Sequence, residues 1–218
     1  MRRNRVVRNH LNGIKLWAGG RIENNILWGQ GNSAIWSGTF NSVLEIINNT
    51  VAYNMYDPSF GERNWAVVVG YPEEIDEPQV DLTLVNNIFA FNTGPQLGEP
   101  TALYLGSGVK VTERHNLYFS RTSEEITAEF LGREISRQDF EDGIWSDLTG
   151  QGQGSLVIDP RFLSGWPEVD VALQTGSLAI DAGDLESCPE VDAFGNPRPV
   201  DGDGDGESAC DLGAIEQQ

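Results

Sequence analysis

The chain has few cations: its 218 residues include 14 lysine and arginine residues against 33 aspartate and glutamate residues, for a formal charge of −19. Non-specific nucleic-acid binding needs cations that displace phosphate counterions, so this balance argues against that class. It also argues against adhesion to an anionic membrane surface. No stretch approaches the run of about eighteen apolar residues that a membrane-spanning helix needs, so we expect no membrane insertion.

We do not expect the first residues to form a secretion signal. Four arginines lie within the first eight residues, but only His10-Leu11-Asn12-Gly13 follows them, with no apolar segment. We expect the abrupt start to reflect either an artificial boundary or a chain trimmed from a longer parent. Charge is also uneven: residues 1–121 carry 10 basic and 11 acidic side chains, a net of −1, whereas residues 122–218 carry 4 and 22, a net of −18. This asymmetry predicts two kinds of surface.

Cysteine is scarce as well. Cys188 and Cys210 lie 22 residues apart in the acidic half, and neither has a histidine beside it, so a zinc site is not indicated. We favour a disulfide over two free thiols, because it would stabilise a segment poor in apolar residues by about 3 kcal/mol. A disulfide would place the protein outside the cytoplasm, in the extracellular space or on the cell surface.

An internal repeat runs through residues 1–121. Each unit is an apolar run, an Asn-Asn or His-Asn pair and a second short apolar run. The four units are Arg21–Trp28, Leu44–Tyr53, Leu82–Phe91 and Val111–Phe119. Further strand-like runs bounded by small residues lie between them, at Gly13–Trp17, Ser33–Trp36, Ala66–Gly70 and Ala102–Gly106. No helix-period stretch separates these runs, so the pattern predicts stacked β coils and not βαβ units.

The asparagine pairs predict a structural ladder. Asparagine tolerates the left-handed backbone of a sharp corner, and in coils stacked about 4.8 Å apart its side-chain amide can bond to the equivalent residues above and below. The predicted rungs are Asn25, Asn49, Asn87 and Asn116. Their spacing of 24, 38 and 29 residues leaves insertions at 55–64, 71–79 and 93–100. Within them Tyr56, Arg63 and Tyr71 are candidate glycan contacts, the alternative being solvated loops without a ligand.

The repeats resemble the right-handed parallel β-helix of the pectate-lyase-like superfamily. The tail is similar to the end of bacterial surface β-helix proteins of the choice-of-anchor Q type. The residues that carry this similarity are Asp159-Pro-Arg-Phe162, Gly176-Ser-Leu-Ala-Ile-Asp-Ala-Gly-Asp184, Asn196-Pro-Arg-Pro199 and Cys210-Asp-Leu-Gly-Ala-Ile-Glu216. Leu178 stands where that pattern usually has proline, and Ile215 where it has tyrosine. The resemblance implies an all-β fold of about four to five coils on an exported or surface-attached protein.

We expect one domain in three parts. Residues 1–121 form the β-helix coils, residues 122–155 form a helical and loop insertion, and residues 156–218 form the last coil and an acidic C-terminal segment. A serine cap and apolar residues at helical spacing predict a short helix over Ser123–Gly132, with a second around residues 137–142. Phe130, Phe140 and Trp145 are predicted to dock this insertion on the coils.

The acidic segment contains a candidate calcium loop. Asp201-Gly-Asp-Gly-Asp-Gly-Glu207 alternates carboxylates with glycines, which lets a short loop turn oxygens towards a hard cation. Position twelve is Leu212 and no helix pair flanks the loop, so it is not an EF-hand. The predicted ligands of Ca²⁺ are Asp201, Asp203, Asp205, Glu207 and Asp211. The alternative is an acidic turn without metal.

Catalytic signatures are missing from the sequence, and we assign no catalytic residue. The two lysines, Lys15 and Lys110, lie in strand-like segments, and no spacing selects a pair of carboxylates for glycoside hydrolysis. His115 is predicted to be a corner residue of the repeat. Trp17, Trp28 and Trp36 are candidates either for stacking on sugars or for filling the core.

The favoured function is therefore a secreted or cell-surface module that binds a polysaccharide or other surface polymer without catalysis. The alternatives are a polysaccharide lyase or glycoside hydrolase, and a structural stalk stiffened by calcium. We also expect the uncapped N-terminal end of the coils either to follow an upstream domain or to self-associate.

Overall fold

The computed structural model describes residues 1–38, 41–54, 65–70, 80–92, 102–120, 126–150, 152–165 and 167–218. The strands in these ranges are β1 Arg5–Val7, β2 Ile14–Leu16, β3 Gly20–Glu23, β4 Ile26–Trp28, β5 Ile35–Ser37, β6 Ser42–Ile47, β7 Thr50–Ala52, β8 Val67–Val69, β9 Val80–Val85, β10 Ile88–Ala90, β11 Leu103–Leu105, β12 Val109–Arg114, β13 Leu117–Phe119, β14 Ile126–Phe130, β15 Arg133–Ser136, β16 Phe162–Ser164 and β17 Asp170–Leu173. The helices are α1 Arg137–Glu141 and α2 Ile144–Thr149, with a 3₁₀ turn at Leu185–Ser187.

The fold is mostly β, as predicted, and is built on three parallel sheets. A five-stranded sheet has the order β1-β4-β7-β10-β13, and a four-stranded sheet has the order β12-β9-β6-β3. A six-stranded sheet has the order β15-β14-β11-β8-β5-β2, with β15 antiparallel to β14. In all three sheets each parallel strand pairs with the strand three positions further along the chain. Equivalent positions of successive repeats are therefore in register, for example Ile46 with Leu84 and Val51 with Phe89.

The main core lies between the three sheets. Side chains alternate between the two faces of a strand, and one face of every sheet supplies residues to a single apolar cluster. Ile35 of the six-stranded sheet, Leu44 of the four-stranded sheet and Val51 of the five-stranded sheet belong to this cluster, and each is fully buried. The three sheets thus share one core and turn their other faces outward.

The C-terminal segment packs on the outward face of the five-stranded sheet. Ile26, Ala52 and Ile88 on that face form a second apolar cluster with Phe162 and Leu212. The first asparagine of each repeated pair holds the segment in place through backbone groups. Those bonds run from Asn24 Nδ2 to Val191 O at 2.6 Å, from Asn48 Nδ2 to Asp211 O at 3.1 Å and from Asn86 Nδ2 to Asp184 O at 3.0 Å.

Gly213 marks the closest approach of this segment to the sheet. Its φ is +85°, and a Cβ at this position would lie 2.6 Å from Thr50 Oγ1 and 2.8 Å from Ile88 Cδ1. Any other residue would therefore force the segment away from β7 and β10. The backbone N–H of Ala214 donates to Thr50 Oγ1 at 2.9 Å, which fixes the contact.

The helix predicted over Ser123–Gly132 is wrong. Residues 126–130 form β14, which pairs with β11 in the register Leu103 to Ala128, and residues 133–136 form β15. Leu131 and Gly132 both have positive φ and make the two-residue turn of a hairpin. Ala128 and Phe130 are buried with the half-exposed Glu129 between them, so the period-two pattern that fits the sheet prevails over the local helical spacing.

The second helix, predicted around residues 137–142, is confirmed as α1, which begins after a capping box formed by Ser136 and Asp139. The adjoining α2 was not predicted. The docking role of the three aromatic residues is confirmed: Phe130, Phe140 and Trp145 are buried in the main core, where Phe140 lies 4.6 Å and Trp145 6.2 Å from Tyr118, between ring centroids. The insertion therefore closes the core beside the last strands of the repeat.

Candidate functional site

The second asparagine of each pair faces the interior and forms a ladder. Nδ2 of Asn25 donates to Oδ1 of Asn49 at 2.9 Å, Asn49 donates to Asn87 at 3.1 Å, and Asn87 donates to Asn116 at 3.0 Å. The backbone N–H of each donor residue also donates to the same Oδ1 atom. All four side chains are fully buried, so these bonds satisfy amides that water does not reach.

Sequence reasoning missed two parts of this interior network. Asn4 extends the ladder by one rung, since its Nδ2 donates to Asn25 Oδ1 at 2.9 Å. A second ladder runs through Gln30, Asn54 and Asn92, where Asn54 Nδ2 donates to Asn92 Oδ1 at 2.9 Å. These three residues each lie five positions after a rung of the first ladder. That constant offset was the available signal.

The first ladder ends at a buried carboxylate. Glu113 Oε2 accepts from Asn116 Nδ2 at 3.0 Å, from Ser155 Oγ at 3.0 Å and from the Tyr118 hydroxyl at 3.3 Å. Burial raises the pKa of Glu113, although these hydrogen bonds oppose the shift. Burial beside this carboxylate also raises the pKa of Tyr118 well above its usual value. The acid thus serves as the acceptor for the last amide of the ladder.

The predicted calcium loop is only partly assembled in the way the sequence suggests. Carboxylate oxygens of Asp201 and Asp203 lie within 4.8 Å of one another and of Asp181, which the sequence analysis did not select. Asp205 and Glu207 stay outside this group, and their side chains are exposed. Asp181 Oδ2 accepts from the N–H groups of Gly202 and Asp203, which folds the loop back onto it. Three carboxylates from two segments therefore converge at the surface.

Asp211 has a different role from the one predicted. It is fully buried, and its two oxygens accept from the backbone N–H groups of Asp181 and Gln217. Nearby, Arg198 and Glu216 form a buried ion pair, with Nε 3.0 Å from Oε2. Burial raises the pKa of Asp211 to about 6 and that of Glu216 to about 7, although Arg198 opposes both shifts. These buried hydrogen bonds and the ion pair hold the segments of the C-terminal tail together.

The predicted disulfide is confirmed. Cys188 and Cys210 are bonded, with their Cα atoms 5.9 Å apart. Cys210 is fully buried beside Asn48, whose Nδ2 lies 3.6 Å from the Cys210 sulfur. The bond therefore joins the 3₁₀ turn to the part of the tail that packs on the repeats.

The outward face of the six-stranded sheet presents a row of side chains, one from each parallel strand. Register places Lys15, Trp36, Val68, Tyr104 and Glu129 side by side. The row spans four strand spacings, or about 19 Å. Lys15 is exposed, and Trp36 and Tyr104 are half-buried. Val68, in the middle of the row, is buried, so the accessible side chains lie on either side of it.

An aromatic platform lies at the β2 end of this row and consists of Trp17, Trp36 and Lys15. The two indole rings meet edge to face, with their centroids 4.8 Å apart, and Trp17 is 66% exposed. Lys15 Nζ lies 4.5 Å from the Trp36 centroid and 5.3 Å from the Trp17 centroid. A Cβ on Gly38 would lie 2.4 Å from Trp36 and 3.0 Å from Trp17, so a larger residue at this position would displace the two rings.

Two of the remaining candidates, Trp28 and His115, have structural roles. Trp28 is buried in the second apolar cluster beneath Arg8, whose guanidinium carbon lies 4.9 Å from the ring centroid, so it fills the core. His115 has the positive φ of a corner residue, as predicted, and its Nδ1 lies 2.9 Å from Ala182 O.

The predicted glycan contacts Tyr56, Arg63 and Tyr71 lie outside the described residues. In the sequence, the segments that contain them immediately precede and follow the β8 region of the six-stranded sheet.

Comparisons of the chain with protein-family models, with curated proteins and with solved structures gave no match. Among the helices that the structure describes, none combines the length and apolar character needed to cross a membrane.

Proposed function

We propose that this protein is a secreted or cell-surface module that binds a polysaccharide on the outward face of the six-stranded sheet, without catalysis. The observation that carries the proposal is the exposed Trp17–Trp36–Lys15 platform at one end of a row of side chains. Exposed indole rings offer apolar faces on which the C–H surface of a sugar can pack, and Trp combines large contact area with little conformational freedom. Tyr104, which is half-buried in the same row, would contact a unit further along the polymer.

The architecture we propose is a right-handed parallel β-helix of the pectate-lyase-like kind, with a tail of the choice-of-anchor Q kind. Two features support this proposal: the three-strand period of the parallel pairings and the stacked asparagine ladders. An extracellular location is supported by the disulfide, because such bonds persist in oxidising compartments.

Binding to a panel of neutral and acidic polysaccharides tests the function. We expect the wild type to bind at least one polymer and Trp17→Ala to lose most of that affinity. Leu163→Ala is the matched control, because Leu163 is 54% exposed on the C-terminal segment, away from the six-stranded sheet. Equal affinity of wild type and Trp17→Ala would reject the site. Release of unsaturated products or of reducing ends would instead favour the lyase or hydrolase alternative.

We also propose that Ca²⁺ binds at Asp181, Asp201 and Asp203 and stiffens the tail. The convergence of three carboxylates from two segments supports this, since calcium prefers oxygen ligands and extracellular sites bind it at about 10⁻⁴–10⁻³ M. A ligand that binds only the folded protein raises the melting temperature by mass action. Millimolar Ca²⁺ should therefore raise the melting temperature more than Mg²⁺ or Na⁺ at equal ionic strength.

Asp181→Asn is the informative variant for calcium, because it keeps the size of the side chain and removes one charge. It should lose the response that is specific to calcium, whereas Asp205→Asn, outside the cluster, should keep it. Equal responses of the wild type to all three salts would reject the calcium proposal and leave an acidic turn.

A further inference from the structure

Lys15 has an unusual environment for a surface lysine. Its ammonium group lies over two indole rings, and within the described residues it takes part in no ion pair and no hydrogen bond. Exposed ammonium groups are strongly hydrated and flexible, but here the aromatic faces hold the cation in a defined place. The platform therefore presents a fixed positive charge beside an exposed ring surface.

We infer that Lys15 makes the platform selective for acidic polysaccharides, whose sugar rings carry a carboxylate or a sulfate group. This inference rests on the proposed function and adds the class of ligand. A sugar that packs on the exposed surface of Trp17 brings its substituents towards Lys15 Nζ, which lies 5.3 Å from the Trp17 centroid. An anionic substituent would meet an ammonium group that has three N–H donors and no acceptor among the residues that the structure describes.

The overall charge of −19 does not prevent this recognition, because the negative charge is concentrated elsewhere. Residues 122–218 carry a net charge of −18, and their C-terminal part packs on the five-stranded sheet. Glu129, the acidic residue in the row that contains Lys15, lies four strand spacings, or about 19 Å, from Lys15. Charges farther apart than about 8 Å are largely screened at physiological ionic strength, whereas a contact at the platform is not. At about 0.15 M salt, the attraction of an anionic polymer to Lys15 would therefore outweigh its repulsion by the distant acidic residues.

The test uses pairs of polymers that differ only in charge. Polygalacturonate is compared with its fully methyl-esterified form, and dextran sulfate is compared with dextran, so that carboxylate and sulfate are distinguished. EDTA is present to keep calcium from bridging the protein and the polymer. The variants are Lys15→Gln, Trp17→Ala and Lys110→Gln. Lys110 is the other lysine of the chain and is exposed on the four-stranded sheet, so its variant makes the same change in net charge.

We expect the wild type to bind one acidic polymer more tightly than its neutral counterpart. Lys15→Gln should weaken that binding by about fivefold, the range of an exposed ion pair, while Lys110→Gln has no effect. Lys15→Gln should leave the affinity for neutral polymers unchanged. Equal affinity of Lys15→Gln and wild type for the acidic polymers, or a preference of the wild type for the neutral forms, would overturn the inference.

The outcomes also separate the inference from the proposed function. If Trp17→Ala abolishes binding while Lys15→Gln has no effect, the platform binds polysaccharide and the inference about charge is wrong. If no polymer binds, or if Trp17→Ala binds as well as the wild type, the proposed function and the inference both fail.

Discussion

Two sheets of this protein use their outward faces in different ways. The outward face of the five-stranded sheet is apolar, and the chain covers it with its own C-terminal segment through Phe162, Leu212 and the bonds from Asn24, Asn48 and Asn86. The outward face of the six-stranded sheet carries Lys15, Trp36 and Tyr104, which remain exposed or half-buried. The first face therefore contributes to stability, and the second is available for binding.

This difference shows that a stacked repeat can cover one outward face and leave another open. A parallel sheet is usually buried on both sides, which makes an outward face that keeps exposed aromatic residues informative. In the five-stranded sheet Ile26, Ala52 and Ile88 meet the usual requirement. In the six-stranded sheet the structure instead fixes Trp17 and Trp36 over Gly38, at a cost in exposed apolar surface that a ligand would offset.

The largest effect is expected from a variant that disrupts the covered face of the five-stranded sheet. Phe162 is 6% exposed and lies 6.1 Å from Phe91 and 6.2 Å from Tyr53, between ring centroids. Phe162→Ala should lower the free energy of unfolding by about 3–5 kcal/mol, because it removes a buried ring and leaves a cavity. Trp17→Ala, on the open face, should lower it by less than about 0.5 kcal/mol. Denaturant unfolding measures both, and similar losses would remove the distinction between the two faces.

A smaller effect is expected from the ladder that lies behind both faces. Asn49→Ala and Asn87→Ala should each destabilise the protein by about 1–3 kcal/mol, because buried donors and acceptors lose their partners. Asn9→Ala is the control, since Asn9 is exposed and outside the ladder. Melting of the two ladder variants at the temperature of the control would contradict the stacked register.

The smallest effect concerns Glu113, which ends the ladder. Its pKa is raised in the folded protein from its usual 4.5, so folding favours the protonated form. Its contribution to stability is fully present below pH 4.5 and is lost as the pH rises through the raised value. The stability of the wild type relative to Glu113→Gln should therefore increase as the pH falls from 8 to 5, which denaturant unfolding at both pH values measures. A difference independent of pH would show that Glu113 does not titrate with folding.

Much of the repeat could be predicted from the sequence, because its signal is local and recurs. The Asn-Asn pairs, the apolar runs beside them and the glycine boundaries fix strand, corner and strand in each unit, and Asn25, Asn49, Asn87 and Asn116 lie in one ladder. The Cys188–Cys210 bond was predictable for a simpler reason, since each cysteine has a single candidate partner.

The errors occurred where long-range contacts decide the structure. Residues 126–130 have helical spacing, but pairing with β11 makes them a strand. Asp181 lies 20 residues before Asp201 in the sequence, and only the folding of the loop over it brings the carboxylates together. Likewise, the platform depends on Gly38 leaving room for Trp17 and Trp36. These two residues come from adjacent repeats, and no sequence motif predicts their contact.

Footprinting of side chains by hydroxyl radicals tests the central claim most directly, because it reports where a polymer binds and not only whether it binds. With saturating amounts of the best polysaccharide of the panel, Trp17 and Trp36 should be protected from oxidation. Phe194, which is 64% exposed on the C-terminal segment, should react as it does in the free protein. Protection of Phe194 with no change at Trp17 would place the ligand on the covered face of the molecule and contradict the division between the two sheets.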